Sequence, residues 1–489
     1  MPLGRRGFLK LGGWLAAGAA ASACSPIYTQ LARAARPATA WPTSGSPAFR
    51  ALQRLTFGPD GAERERVESI GLGAWIEEQL APAHVEDTAA EVLLRPLSSL
   101  SLQAADLAAW ERDDVILELR RSTLLRQIWS RRQLYEVMVE FWTDHFNILI
   151  DKGDCWFLKT IDDREVIRAH ALGNFRDLLW ASAHSPAMLV YLDNQANLKD
   201  APNENYAREL MELHSLGVHG GYGQMDVMEL SRCLTGWTVR DHFWRGEFLF
   251  RPEIHDTGWK EVLGLRVEPV GRPEAEDLLD ELAVHPSTAD HLARKLVRRF
   301  VSEDLERQAS LVDRVARVFQ ETRGNIAATL RSLFLDNPWE AAIEPKFKRP
   351  LNFVLSALRM LGADSDGGPD LHRRLSAMGQ LPFAWATPDG PIDEAGPWKG
   401  GLMARWQFAL DLMADRIGGT HVPLEDLLQT SGATTPAGAV DAFAMALLGE
   451  VPDAKTQSSL LPLASHGSWP EGAGVMVAGL LASPAFQWR

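Results

Sequence analysis

The sequence predicts an all-α fold, mainly helical, with one small β-hairpin near residues 243–269. Two observations predict it. Apolar residues recur at helical spacing through most of the chain, and strand-like alternation is confined to one short stretch. Glu63–Leu80 reads as the first helix, with Ile70, Trp75, Ile76 and Leu80 as its apolar positions. Asp114–Arg131 follows, with Val115, Leu117, Leu119, Leu124 and Ile128 set between arginines. Gln133–Ile150 is the third. Asp163–Ser182, Asn203–Leu216 and Asp226–Leu234 come next. Ser287-Thr288-Ala289-Asp290 resembles a capping box, with Asp at the usual Glu position, and opens a helix that reaches Phe300. Asp304–Thr322, Asn325–Leu335 and Arg349–Leu361 continue the pattern. Met403–Arg416 and Ala437–Leu448 close it. Phe243–Arg251 and Glu261–Pro269 alternate well enough to be hairpin arms. Ala363–Pro369 is the best linker candidate. It divides a main helical domain, 47–362, from a C-terminal helical region, 370–489, packed upon it.

The first forty residues form a separate region. Arg5-Arg6 is followed by Gly7-Phe8-Leu9-Lys10, and an uncharged apolar stretch runs from Leu11 to Ala23. Thirteen residues are too few to cross a bilayer, which takes about 20. A positive start and a short, Ala/Gly-rich apolar run are the plan of a twin-arginine signal. The expected address is periplasmic or extracellular, reached through the twin-arginine machinery. Ala21-Ser22-Ala23 and Ala38-Thr39-Ala40 both fit a cleavage site. Cys24 also resembles a lipoprotein acceptor, so soluble and lipid-anchored products stand equal here.

Charge narrows the partners. The net charge is −14; processing at residue 40 removes five bases (Arg5, Arg6, Lys10, Arg33, Arg36) and no acid, leaving −19. Nucleic acid and anionic lipid both want a basic face. No later apolar run is long enough for a membrane helix. Beyond the signal the cysteines are Cys155 and Cys233, and there is no CxxC. Their pairing is open. Seventeen Trp against five Tyr suggest an aromatic-rich core, with a sugar platform as the alternative.

The strongest chemical signal is Leu134–Ile150. Its apolar residues point every way round, so the helix is buried, yet it carries Glu140, Asp144, His145 and Asn147. Buried carboxylates need a partner. Glu140 and Asp144 share a face at i,i+4. With His145 beside them they would hold a metal or do acid–base work; the alternative is pairing to arginines of neighbouring helices. In Asn203–His214, Glu204, Asn205, Arg208, Glu209 and Glu212 fall within an arc of about 140°. That face is either solvated or the wall of a cleft. His214 lies on its apolar side. His255, Asp256 and Trp237 sit in short polar loop strings, where sites are often carried. GxSxG, P-loop, Rossmann, HExxH and EF-hand patterns are absent, and so is the paired Glu-x-x-His of diiron bundles.

Several strings together resemble a large bacterial family catalogued as domain of unknown function 1800. They are Arg54–Pro59, Glu140–Asn147, His170–Leu179, Ser185–Leu189, Tyr191–Asn194, Asn203–Gly217, Leu234–Thr238, Ala293–Leu296, Lys348–Pro350 and Thr387–Gly390. They span about residues 47 to 489. The resemblance implies an exported, mainly helical protein, whose gene often neighbours that of an exported phosphatase- or sulfatase-like protein. It assigns no reaction.

The combined expectation is an exported enzyme with one buried polar site. Glu140, Asp144, His145, Glu209 and His214 are its acid–base or metal candidates. Arg208 would meet a carboxylate or an anionic substrate; His255 and Asp256 would close the site, and Trp237 would contact substrate. Hydrolysis of a cell-envelope or extracellular polymer is the first reaction expected, metal-dependent oxidation the second. The residues name no cofactor, although a divalent metal fits the carboxylates and histidines. The competing class is a non-catalytic scaffold that holds the co-exported phosphatase-like protein.

Overall fold

Helices carry the fold, and the breaks between them fall where a residue forbids continuation. The computed structural model describes residues 27–37, 41–42, 48–241, 245–336, 339–465 and 467–489. Arg5, Arg6 and Cys24 lie outside the described residues. Gly71, at φ +82°, splits the first expected helix into Gly61–Ile70 and Leu72–Gln79. Asp60 starts the former with a capping box closed by Glu63.

Four helices build the site. Arg112–Trp129 (α1) leads into Gln133–His145 (α2). The latter stops five residues earlier than its apolar pattern suggests. The pattern runs on because the following loop is buried too: Phe146, Ile148 and Ile150 are 1%, 1% and 0% exposed. Pro286–Phe300 (α3) begins before the expected capping box. Pro286 supplies the preset φ of a first turn, and the His285 ring Nδ1 accepts from the Ser287 N–H at 3.1 Å. Ser287 Oγ instead donates to Gly220 O. Pro350–Met360 (α4) is buried on every side. The expected Asp163–Ser182 helix is interrupted by a π-helical turn, Asp162–Ile167, before Phe175–Ala183.

The C-terminal region is longer in helix than its periodicity shows. Leu402–Met413 (α5) and Pro436–Leu448 (α6) are joined by Ala454–Ala464 (α7) and Trp469–Ala482 (α8). Pro462 disguises α7. Helix α8 is apolar all round and glycine-bearing, which erases a helical stripe. Its glycines admit close neighbours: a Cβ at Gly479 would lie 3.0 Å from Leu460 and Leu463.

The expected single hairpin is two. Trp237–Val239 (β1) pairs with Phe248–Phe250 (β2), and Lys260–Val262 (β3) with Leu265–Val267 (β4), both antiparallel. Leu263 and Gly264 both have positive φ, the two-residue turn that suits strand twist. Asp364–Ser365 (β5) pairs with Thr420–His421 (β6), so the linker candidate is ordered structure. One hydrophobic core runs from Ala32 to Phe486 and includes residues on both sides of it. Residues 27–35 form a helix docked on that core: Ala32 is 0% exposed, and the Arg36 guanidinium lies 3.6 Å over the Trp129 ring.

Candidate functional site

Helix α2 sets Glu136, Glu140 and Asp144 at successive i+4 positions on one face, and each meets an arginine. Glu136 accepts two contacts from Arg168 Nη1, at 2.9 and 3.1 Å, and one from Nη2 at 3.1 Å. Glu140 accepts from Arg349 Nη2 at 2.5 Å and from Arg299 Nη2. Asp144 accepts from Arg349 Nη1 at 2.8 Å. Arg299 ends α3, and Arg349 immediately precedes α4. Both are 2% exposed and Glu140 is 5% exposed, so this network is internal. Glu140 is fully engaged. Asp144 is less buried and reaches open space.

That space is a cavity of about 220 Å³. Asp144, His291, Lys295, Arg298, Arg299 and Arg349 line it, together with the Asp389–Glu394 loop. A smaller cavity of about 40 Å³, lined in part by Glu140, shares Asp144 and Pro391 with it.

The loop is held by its own string. Asn147 Nδ2 donates to Trp385 O at 3.1 Å and Thr387 O at 2.8 Å, and Tyr191 Oη donates to Ala386 O at 3.0 Å. Thr387 Oγ1 donates to Asp389 Oδ1. Gly390 has φ +73°, and a Cβ there would stand 2.1 Å from Asp144 O. Only glycine allows the loop to close on the end of α2. Asp393 then reaches inward, 3.2 Å from Lys346 Nζ and 3.9 Å from both Arg299 Nη1 and Arg349 Nε.

Three imidazoles back the cavity. His145 Nε2 donates to His214 O at 3.1 Å, because a carbonyl only accepts. Its Nδ1 therefore accepts from Lys295 Nζ, 2.8 Å away. The rings of His214 and His291 each lie 6.1 Å from that of His145. Burial, then the Lys295 charge, holds His145 well below its ordinary pKa; the same causes bring His214 to about 3 and His291 to about 4. All three are neutral at physiological pH. Burial lowers Lys295 to about 8, against the pull of Asp144. Burial raises Asp144 to about 6; Arg349 opposes this and Glu140 adds to it. Burial opposes the ionisation of Asp393, but Lys346, Arg349 and Arg299 hold it well below the carboxylate range.

The structure thus brings Glu140, Asp144, His145 and His214 together. Glu209 is partly buried; burial and Glu212 raise its pKa, and the charge of Asp389 adds to this. Arg208 donates to Glu204 and Gln224 on the surface. His255 and Asp256 find other partners. His255 is 2% exposed, with Nε2 3.0 Å from Glu274 and Nδ1 2.8 Å from Thr235 O, while Asp256 pairs with Arg232. Trp237 is 0% exposed and packs on His184 and Phe248, so it presents no face to a ligand. Cys155 and Cys233 are separate, buried free thiols. Lys295, Arg299, Arg349, Asp389 and Asp393 were not among the expected site residues. The Ala293–Leu296, Lys348–Pro350 and Thr387–Gly390 strings already contained Lys295, Arg349 and Asp389. Among the described residues no group of three or more His, Cys, Asp or Glu side chains is arranged to hold a metal ion.

The family model described as "Protein of unknown function (DUF1800)" matches residues 50–488. The chain belongs to this family. No curated protein and no solved structure matches it. Four of the strings that carry the resemblance, those around Glu140, Lys295, Arg349 and Asp389, meet at the one cavity. Others close backbone. Asn194 Nδ2 donates to Leu234 O and Trp237 O. Arg359 donates to Gly58 O, and Phe57 N–H to Gln133.

Proposed function

We propose that this member of the DUF1800 family is an exported enzyme that hydrolyses a cell-envelope or extracellular polymer by general acid–base chemistry. One observation carries the reading: four strings distant in sequence place Asp144 and Lys295 on the wall of the same cavity. Asp144 accepts a proton from the attacking water. Lys295, an ammonium below about pH 8, gives one to the leaving group. His145 and His291 are not charged competitors. His145 orients the amine through its Nδ1 lone pair. Glu140 is not a reacting group, because its oxygens hold Arg299 and Arg349 in place. Arg5-Arg6 and the apolar run behind them support export, with the activity in the periplasm or outside the cell.

The scaffold reading keeps one specific support. Glu140 and Asp144 are both tied to arginines, as a purely structural network would have them. In that case the protein holds a co-exported phosphatase-like partner and has no reaction of its own. Among the described residues metal-dependent oxidation has no comparable donor set in its favour.

The test uses natively exported protein, incubated separately with peptidoglycan and with extracellular polysaccharide, and soluble fragments are read by mass spectrometry. The wild type releases fragments. Asp144→Asn and Lys295→Met, checked for native circular dichroism, each reduce release about 100-fold or more. Release that is unchanged in both, or absent from every polymer, hands the site to the scaffold reading.

A further inference from the structure

We infer that the cavity binds an oxyanion, a phosphate or carboxylate group carried on a larger molecule, between Lys295, Arg298, Arg299 and Arg349. The inference deepens the proposed activity by naming what its substrate bears, and it rests on that reading for the reacting pair. The binding itself stands on separate geometry. Arg299 and Arg349 are each 2% exposed and line the cavity, yet the Nε of each has no hydrogen-bond partner. Both Nη groups of Arg349 donate to Asp144 and Glu140, and Nη2 of Arg299 donates to Glu140. Arg298 Nε is buried without a partner as well, and its nearest acid, Glu394, is 3.6 Å away. Lys295 donates to a neutral imidazole, and among the described residues no carboxylate lies within 4.0 Å of its Nζ. Its remaining N–H groups are therefore available on the cavity side.

Asp393 does not meet this demand. It stands 3.9 Å from both arginines, beyond hydrogen-bond reach, and its own Oδ1 has no hydrogen-bond partner. Three guanidinium groups and one ammonium line one space beside Asp144, Asp389, Asp393 and Glu394, with the unpartnered Nε–H donors buried in its wall, and these cations match the several acceptor oxygens of a phosphate or carboxylate. Buried donors of this kind are ordinarily satisfied. The cavity, at about 220 Å³, holds more than a bare oxyanion, and Phe141, Pro391 and Ile392 give it an apolar side for the carrier.

Isothermal titration of the purified full chain with inorganic phosphate and with glucuronate, at low salt and pH 7, tests the inference. One probe binds at a single site with Kd of about 1 mM or tighter. Tighter phosphate assigns a phosphorylated substrate, and tighter glucuronate a uronic one. Arg298→Gln and Lys295→Met, both changes on the cavity wall outside the Glu140 network, each weaken binding about tenfold. Asp144→Asn keeps binding while losing polymer release, which separates failure of the anion site from failure of the catalytic reading. No binding of either probe at about 10 mM, or affinity unchanged in both cation variants, overturns the inference.

Discussion

Glu140→Gln decides whether that carboxylate anchors the site or reacts in it. Glu140 is 5% exposed and neutralises two arginines that are each 2% exposed. Removing one partner of a buried pair costs about 3–5 kcal/mol, because the other charge stays buried. The two arginines suffer unequally. Arg349 keeps Asp144 at 2.8 Å, whereas Arg299 keeps only Asp393 at 3.9 Å. The amide also turns its NH2 toward one of the two guanidiniums. The expected loss is therefore about 3–5 kcal/mol, read as a lower urea midpoint of the full chain. Adding Arg299→Met removes the stranded cation, so the double variant recovers about 2 kcal/mol relative to additivity. A Glu140→Gln protein within about 1 kcal/mol of wild type, or a strictly additive double variant, would falsify the anchoring role and return Glu140 to the list of reacting groups.

Four further outcomes are expected. Gly390→Ala forces a Cβ into the Asp144 carbonyl at a positive φ; it costs about 1–3 kcal/mol and weakens anion binding, measured by denaturation and titration. The pH dependence of stability carries both titrating groups. Lys295 sits at about 8 against an ordinary 10.5, so the unfolded chain binds more protons across pH 8–10.5 and this group's contribution to stability rises with pH there. Asp144 sits at about 6 against 3.8, so the folded chain binds more protons across pH 4–6 and its contribution falls as pH rises. Lys295→Met and Asp144→Asn, compared with wild type at fixed ionic strength, each remove one arm only; identical profiles would count against the assignments. Under the proposed export, processing leaves residues 27–37 in place, since Ala32 is core and Arg36 both stacks on Trp129 and donates to Gly362 O. Mass spectrometry then finds a start near residue 24, and a start at 41 refutes it. Burial raises Cys155 and Cys233 to about 12, so neither thiol reacts with a disulfide reagent before unfolding; rapid native labelling at either position contradicts that burial.

The part of the site legible in the sequence was the part carried by one helix. Glu140, Asp144 and His145 stood out because their neighbours are apolar all round α2, and a buried acid demands an explanation. The explanation itself was out of reach, because Arg299 and Arg349 lie 159 and 209 residues away from Glu140 and periodicity reports only local order. His255 misled for a related reason. A His-Asp string in a loop looks like chemistry, but its ring is locked between Glu274 and Thr235. Asn194 and Thr235 belong to similar strings and satisfy backbone or loop groups. Many helices were legible, but Pro273–Val284, α7 and α8 were not among those expected; α8 is apolar on all sides and has no stripe to show.

The acids that drew attention first do not define what the cavity wants. Glu140 is consumed by two arginines and Asp144 by one, while Lys295, Arg298, Arg299 and Arg349 all line the space. In a chain of net charge −14 the cavity lining sets four cations (Lys295, Arg298, Arg299, Arg349) against four carboxylates (Asp144, Asp389, Asp393, Glu394), so it is far less acidic than the chain as a whole. The two fields act at different ranges. Overall charge repels a dense polyanion on approach, and that repulsion fades beyond about 10 Å at 0.1 M salt. Inside the cavity the arginines are screened far less, so a single anionic group is held once it arrives. The combination favours a polymer with sparse charge, or a charged chain end, over a uniformly charged one. It also gives the salt response a sign. Raising ionic strength should relieve the long-range repulsion and speed association, while weakening the final contact only modestly. A densely charged substrate drawn in by overall attraction would show the reverse.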